Sequence, residues 1–154
     1  MKKLCSTGFA EETYFMDTTP IVARLTVIAN SVNALLEMQE LTHDEFVHDW
    51  IIRTSVERNF QVAIQAALDI GSIILAASRV QTPGEYRDIF PALADIGVLP
   101  QELGRRLADM ASFRNALVHM YVDVDPDRLF EYLHGDLDDF NTFARCIGQY
   151  LETL

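Results

Sequence analysis

The sequence predicts an all-α protein, an antiparallel bundle of four long helices and one short helix. Apolar residues recur at spacings of three and four along most of the chain, which is the period of one helix face. No segment sustains the alternation of apolar and polar residues that marks a half-buried strand. The connections between the apolar stripes are short, and short connections favour antiparallel neighbours.

The first long helix begins at Thr19-Pro20. Thr19 suits the N-cap and Pro20 suits the first helical position, where its missing N–H costs nothing. One apolar stripe follows at spacings of four and three, formed by Ile21, Leu25, Ile28, Val32 and Leu35.

The second long helix begins at a capping box formed by Thr42 and Glu45. Its apolar stripe predicts one helix to about residue 78, with a bend near Thr54. Several small residues would let another helix approach it closely: Ala63, Ala66, Ala67 and Gly71.

A second capping-box spacing, from Thr82 to Glu85, predicts the short third helix, which Gly97 would terminate. Pro100 begins the fourth helix. The apolar side of that helix consists of Leu103, Leu107, Met110, Leu117 and Tyr121.

The fifth helix begins at Asp125-Pro126, with Asp125 as the N-cap, and its apolar stripe extends to about Leu151. At the other end of the chain, residues 1–16 show no clean period. We therefore expect an N-terminal arm or extension over 1–16 and one helical domain over 17–154.

Composition narrows the functional classes. The net charge of −11 repels nucleic acid and anionic membranes, so any contact with RNA requires a local basic patch. The two cysteines, Cys5 and Cys146, lack the spacing of a zinc site or a disulfide scaffold. We find no run of about 18–20 apolar residues and no signal-peptide core, and so we expect a cytoplasmic protein without membrane association.

The segment from Arg114 to Tyr121 has the pattern R-x4-H-x-Y within an apolar helix. A permanent cation, a group that titrates near neutral pH and a phenol would each need a partner inside a core. This combination indicates a ligand, a partner chain or both. On an ideal helix Arg114 and His119 lie roughly 140° apart. A helix that ends near His119 could bring them together, and so could a groove built by two copies of the chain.

Each of these residues also has a structural interpretation. Arg114 could form an internal salt bridge with Asp69 or Glu57, or those two carboxylates could orient it for function. His119 could be a histidine without a role, and Tyr121 a packed aromatic residue. Separately, Arg105 and Arg106 could extend a basic patch for RNA, or be solvated surface charges.

The octet Arg114–Tyr121 resembles the R-x4-H-x-Y motif of HepT-like proteins, a family of HEPN-domain toxins. The resemblance extends over roughly residues 17–151. It includes the segments Val56–Gln61, Gly97–Pro100, Met110–Asn115 and Asp136–Phe140 in the family's order.

The resemblance implies a homodimeric helical bundle with metal-independent endoribonuclease activity and no cofactor. It implies that Arg114 and His119 are the catalytic pair, with Asn115 as a polar helper. It also implies a partner, a minimal nucleotidyltransferase antitoxin, that inhibits the toxin by transferring AMP from ATP to Tyr121. The alternative is a non-catalytic dimeric module that binds nucleotides or serves that partner as substrate or scaffold.

Overall fold

The computed structural model describes residues 16–119 and 125–154, and for residues 117–119 it describes the backbone alone. Within these ranges the chain forms seven α-helices, one short 3₁₀ helix at Tyr86–Asp88 and no strand, which confirms the all-α prediction. The helices are α1 (Thr19–Met38), α2 (His43–His48), α3 (Trp50–Ala77), α4 (Ile89–Asp95), α5 (Gln101–His119), α6 (Pro126–Gly135) and α7 (Leu137–Glu152). The arm predicted for residues 1–16 lies outside the described residues, apart from Met16.

Helix α3 is the centre of the bundle. It packs most extensively along α1 and also contacts α2, α4, α5 and α6. The largest side chains of the core are five fully buried phenylalanines: Phe46, Phe60, Phe90, Phe140 and Phe143. Burial of such aromatic groups away from water supplies much of the stabilisation of the fold.

The small residues of α3 act as the sequence predicts. Ala63, Ala67 and Gly71 are buried, and α4 packs directly over Gly71. A methyl group at Gly71 would lie 2.5 Å from Ile89 Cγ2 and 3.1 Å from Leu93 Cδ1. The absence of a side chain at this position therefore sets how closely α4 approaches α3.

Two predicted long helices are each divided, so the described residues contain the four long helices that were predicted but three short α-helices, α2, α4 and α6, instead of one. The second breaks at Asp49, whose extended backbone ends α2 and whose side chain accepts a hydrogen bond from the Ile52 N–H at 3.1 Å. Asp49 is thus an N-cap inside a continuous apolar stripe. The fifth breaks at Asp136, after Gly135. Burial and the nearby Asp139 raise the pKa of the Asp136 carboxyl.

The helix termini agree with the sequence except at two places. The first helix begins at Thr19 with Thr18 as its N-cap, one residue before the prediction, and Asp17 accepts a hydrogen bond from the Thr19 N–H. The capping box predicted for Thr82 and Glu85 is wrong, because Glu85 is extended and the 3₁₀ helix starts after it. Gly97 ends α4 with φ +83°, and Asp125 caps α6, as expected.

Helices α1 and α3 are long and apolar enough to span a membrane by length and composition alone, which the sequence prediction overlooked. Most of the apolar side chains of α3 are buried in the bundle, which accounts for its composition. Helix α1 buries one stripe and leaves Val22, Val27 and Leu36 partly exposed. Of these three residues, Val27 borders the candidate site.

Replacing Gly71 by alanine is predicted to lower the free energy of unfolding by about 1–3 kcal/mol, because Ile89 and Leu93 must move to admit the methyl group. The matched control is Gly148→Ala in α7, where nothing lies within 4 Å of the added carbon. There the higher helix propensity of alanine should add up to about 1 kcal/mol of stability. Urea unfolding measures both changes, and a stabilised Gly71→Ala protein would contradict the close packing described here.

Candidate functional site

Arg114 lies on α5 at the boundary between the core and a surface groove. The neighbouring residues of α5 face inward, and Leu107, Met110, Ala111 and Phe113 are buried. Phe113 stacks on Tyr132 and meets Phe60 edge to face, which fixes this part of the helix. The apolar pattern that buries α5 therefore brings a guanidinium group to the edge of the core.

The guanidinium group of Arg114 is held by neutral acceptors. Its Nη2 donates to Gln65 Oε1 at 2.7 Å, and its Nη1 donates to Asn115 Oδ1 at 3.2 Å. Its Nε is buried and has no hydrogen-bond partner among the described residues. Because neither acceptor carries a charge, the direct partners of Arg114 among the described residues leave its positive charge uncompensated.

A polar chain continues from Gln65 across the bundle. The Gln65 side-chain amide donates from Nε2 to Asp69 Oδ1 at 2.8 Å, and Asp69 Oδ2 accepts from Arg24 Nε at 3.2 Å. Arg24 also donates to the Pro20 carbonyl of its own helix. The chain links α5, α3 and α1, and it fixes the orientation of the Gln65 amide so that its oxygen faces Arg114.

A groove of about 640 Å³ lies between α1 and α3 and contains this chain. We call it the α1–α3 groove. It is lined by Ala23, Arg24, Val27, Arg58, Gln61, Val62, Gln65, Ala66, Asp69 and Arg114. Three arginines and one aspartate give it a formal charge of +2, in a protein whose net charge is −11.

The sequence suggested a salt bridge from Arg114 to Asp69 or Glu57, and the structure gives Asp69 a different contact. A direct salt bridge from Arg114 to Asp69 is not formed, because Asp69 pairs with Arg24 and reaches Arg114 only through Gln65. Asp69 therefore supports Arg114 indirectly. Glu57 is half-buried on the same helix and is not among the residues that line the groove. Its supporting role stays a prediction.

The remaining residues of the octet lie partly outside the described region. Helix α5 is described as far as His119, and the His119 side chain and residues 120–124 lie outside the described residues, so an end of the helix near His119 stays a prediction. Tyr121 lies outside them entirely. Asn115 is half-buried beside Arg114 and accepts its hydrogen bond, so two of the four expected residues are seen to meet.

The two arginines expected to form a basic patch are both paired with carboxylates. Arg105 hydrogen-bonds to Glu102, and this contact lowers the pKa of Glu102 and raises that of Arg105. Arg106 donates to both oxygens of Asp139 at 3.1–3.2 Å and ties α5 to α7. Their charges are therefore locally balanced, whereas the α1–α3 groove has a formal charge of +2.

Sequence reasoning missed three groove residues, Arg24, Arg58 and Gln65. A signal for two of them was present. The polar residues Arg58, Gln61, Gln65 and Asp69 recur on α3 at spacings of three and four. A polar stripe on a helix whose other sides are buried indicates a solvent-exposed face with a functional role.

Metal chemistry has no obvious location in the part of the chain that the structure describes. No group of three or more histidine, cysteine, aspartate or glutamate side chains there is arranged to hold a metal ion.

Comparison with known proteins shows the family of this chain. A family model described as ribonuclease HepT-like matches residues 28–147. The tRNA nuclease HepT of Aphanizomenon flos-aquae is 31% identical over 137 residues, which cover 87% of this chain and 91% of that protein. The mRNA nuclease HepT of Shewanella oneidensis is 29% identical over 122 residues, covering 78% of this chain and 92% of its own.

Solved structures show the same fold. The tri-AMPylated HEPN toxin of Shewanella oneidensis, in complex with MNT antitoxin, superposes with a TM-score of 0.78 at 25% identity and covers 85% of this chain and 98% of its own. The cytosolic protein YutE of Bacillus subtilis superposes with the same TM-score at 24% identity, covering 91% of this chain and 94% of its own.

Proposed function

Because this chain belongs to the HepT-like ribonuclease family, we propose that it is the toxin of a toxin–antitoxin pair and cleaves RNA without a metal ion. The hydrogen bonds of Arg114 support this proposal most strongly. Its guanidinium is held in place by two amide oxygens, and its charge is left for a ligand in a positively charged groove. The relatives that are named as tRNA and mRNA nucleases support RNA as the substrate class.

The proposed reaction uses the ribose 2′-hydroxyl as nucleophile. His119 accepts the proton of that hydroxyl, the 2′-oxygen bonds to phosphorus, and the bond from phosphorus to the 5′-oxygen breaks as that oxygen takes a proton. A histidine suits either proton transfer because its ordinary pKa lies near 6.5. Arg114 holds the scissile phosphate and stabilises the charge that develops on its oxygens. Asn115 keeps the guanidinium oriented.

A second copy of the chain would complete the site. One histidine cannot be base and acid at the same moment, and a two-fold pair supplies two histidines and two arginines to one groove. The partly exposed Val27 of α1 lines the groove, and Val22 is exposed on the same helix, so α1 offers apolar surface for that contact. We therefore propose a homodimer that pairs around the α1–α3 groove.

Inhibition by AMP transfer is the second part of the proposal. The tri-AMPylated Shewanella oneidensis toxin in complex with MNT antitoxin supports a nucleotidyltransferase partner for this chain. We propose that Tyr121 accepts the AMP. Phosphodiester charge added seven residues from Arg114 would occupy the cation that the RNA phosphate needs.

The proposed location rests on a relative and on the net charge. The relative YutE of Bacillus subtilis is described as cytosolic, and the net charge of −11 disfavours an anionic membrane surface. We therefore propose a cytoplasmic protein without a membrane partner. A purely non-catalytic module is not favoured by the family or by its named nuclease members.

Cleavage of RNA in the presence of EDTA tests the activity. His119→Ala is predicted to lower the rate by about 10²–10⁴-fold through loss of proton transfer. Arg114→Ala is predicted to lower it by about 10²–10³-fold through loss of charge stabilisation.

Matched controls are His48→Ala and Arg145→Ala, since both side chains are exposed on helices away from the groove. Both should cleave as fast as the wild type. Equal cleavage by His119→Ala and wild type would remove His119 from the mechanism. No cleavage by the wild type would favour the non-catalytic alternative.

Mass spectrometry tests the modification. After incubation with ATP and a minimal nucleotidyltransferase antitoxin, the wild type is predicted to gain one or more AMP groups on Tyr121, whereas Tyr121→Phe gains none. Tyr86→Phe is the control, because Tyr86 is 56% exposed on the 3₁₀ helix and should leave labelling unchanged. Labelling of Tyr121→Phe to the wild-type extent would place the acceptor elsewhere.

A further inference from the structure

An acidic RNA-binding protein needs a local site where phosphate is attracted, and the described surface offers one. The α1–α3 groove has a formal charge of +2. A second cavity lies between the 3₁₀ helix and α5. It is lined by Arg87, Arg105 and three carboxylates, so its formal charge is −1. A third, on α6, has Arg128 against Glu131 and Asp136, again −1. Of these three cavities, the α1–α3 groove alone attracts anions.

The three arginines of the groove differ in how much of their charge is available. Arg24 pairs with Asp69, so its charge is largely compensated. Arg114 is fixed by Gln65 and Asn115 and is assigned to the scissile phosphate under the proposed function. Arg58 is exposed, and the structure describes no ion pair or hydrogen bond for its guanidinium within residues 16–119 and 125–154.

Arg58 also lies at a suitable place along the groove. On α3, Arg58, Gln61 and Gln65 follow one another at spacings of three and four, so their side chains lie on one face of the helix. Gln65 contacts Arg114 at one end of this row, and Arg58 occupies the other end. A single RNA strand that places one phosphate on Arg114 can therefore run along α3 toward Arg58.

We propose that Arg58 binds a second backbone phosphate of single-stranded RNA, one that flanks the scissile phosphate, and that this contact supplies affinity without taking part in the chemistry. The proposal rests on the proposed ribonuclease function. A guanidinium on a flexible exposed stem makes charge-assisted contacts to phosphate and reads no base, so the contact is independent of sequence.

The test is the salt dependence of RNA binding by the full-length protein. A labelled single-stranded RNA oligonucleotide is titrated with His119→Ala protein, which is expected to cleave it about 10²–10⁴-fold more slowly than the wild type, and with the double variant that adds Arg58→Ala. Loss of one phosphate contact is predicted to weaken binding by about tenfold at low salt and to make the slope of log affinity against log salt shallower by about 0.7. Arg58→Lys should restore most of the slope, because lysine retains the point charge.

Arg145→Ala is the matched control for the loss of one positive charge at a distance from the groove, and it should leave the slope unchanged. Unaltered affinity and slope for Arg58→Ala would overturn the proposal. If the wild type nevertheless cleaves RNA, the proposed function stands without Arg58 as a phosphate contact. Absence of RNA binding by every variant would overturn both.

Discussion

The hydrogen bond from Arg114 Nη2 to Gln65 Oε1, 2.7 Å long, is the interaction on which the site depends. It joins α5 to α3 at the edge of the core and fixes a guanidinium whose Nε is already buried. A carboxylate in the place of Gln65 would neutralise the cation. A neutral amide orients it and leaves its charge available in the groove. The Asp69–Arg24 pair behind Gln65 determines which end of the amide faces Arg114.

The packing of the bundle positions the two residues of this contact. Helix α3 provides both the buried face that organises the fold and the polar row that lines the groove. Close packing at Gly71 sets the position of α4, which in turn packs on the first part of α5 at Gly104. The aromatic contacts of Phe113 hold the next part of α5. The same two helices, α3 and α5, therefore both pack in the core and position Arg114.

Much of this could be predicted from the sequence. The period of the apolar residues gave the all-α class, and the signals at Pro100, Asp125 and Gly97 placed helix ends correctly. The breaks at Asp49 and Asp136 were missed, since the apolar stripe continues through both and a capping aspartate inside such a stripe looks like an ordinary helix residue. The residues of the octet were found because their pattern is local. Arg24 was not found, because it lies 90 positions before Arg114 and only packing brings the two together. Gln65 belongs to the polar row of α3, but its contact with Arg114, 49 positions later, depends on packing as well.

We propose that neutral acceptors keep the charge of Arg114 free for RNA, and the cleavage rate of the Gln65→Glu protein is the decisive test. The substitution keeps the size of the side chain and puts a carboxylate against the guanidinium. Gln149→Glu adds the same charge at an exposed position of α7 and serves as the control. Gln65→Glu is predicted to cleave RNA about 10²-fold more slowly than the wild type, while Gln149→Glu should cleave at the wild-type rate. Wild-type cleavage by folded Gln65→Glu protein would contradict the proposal.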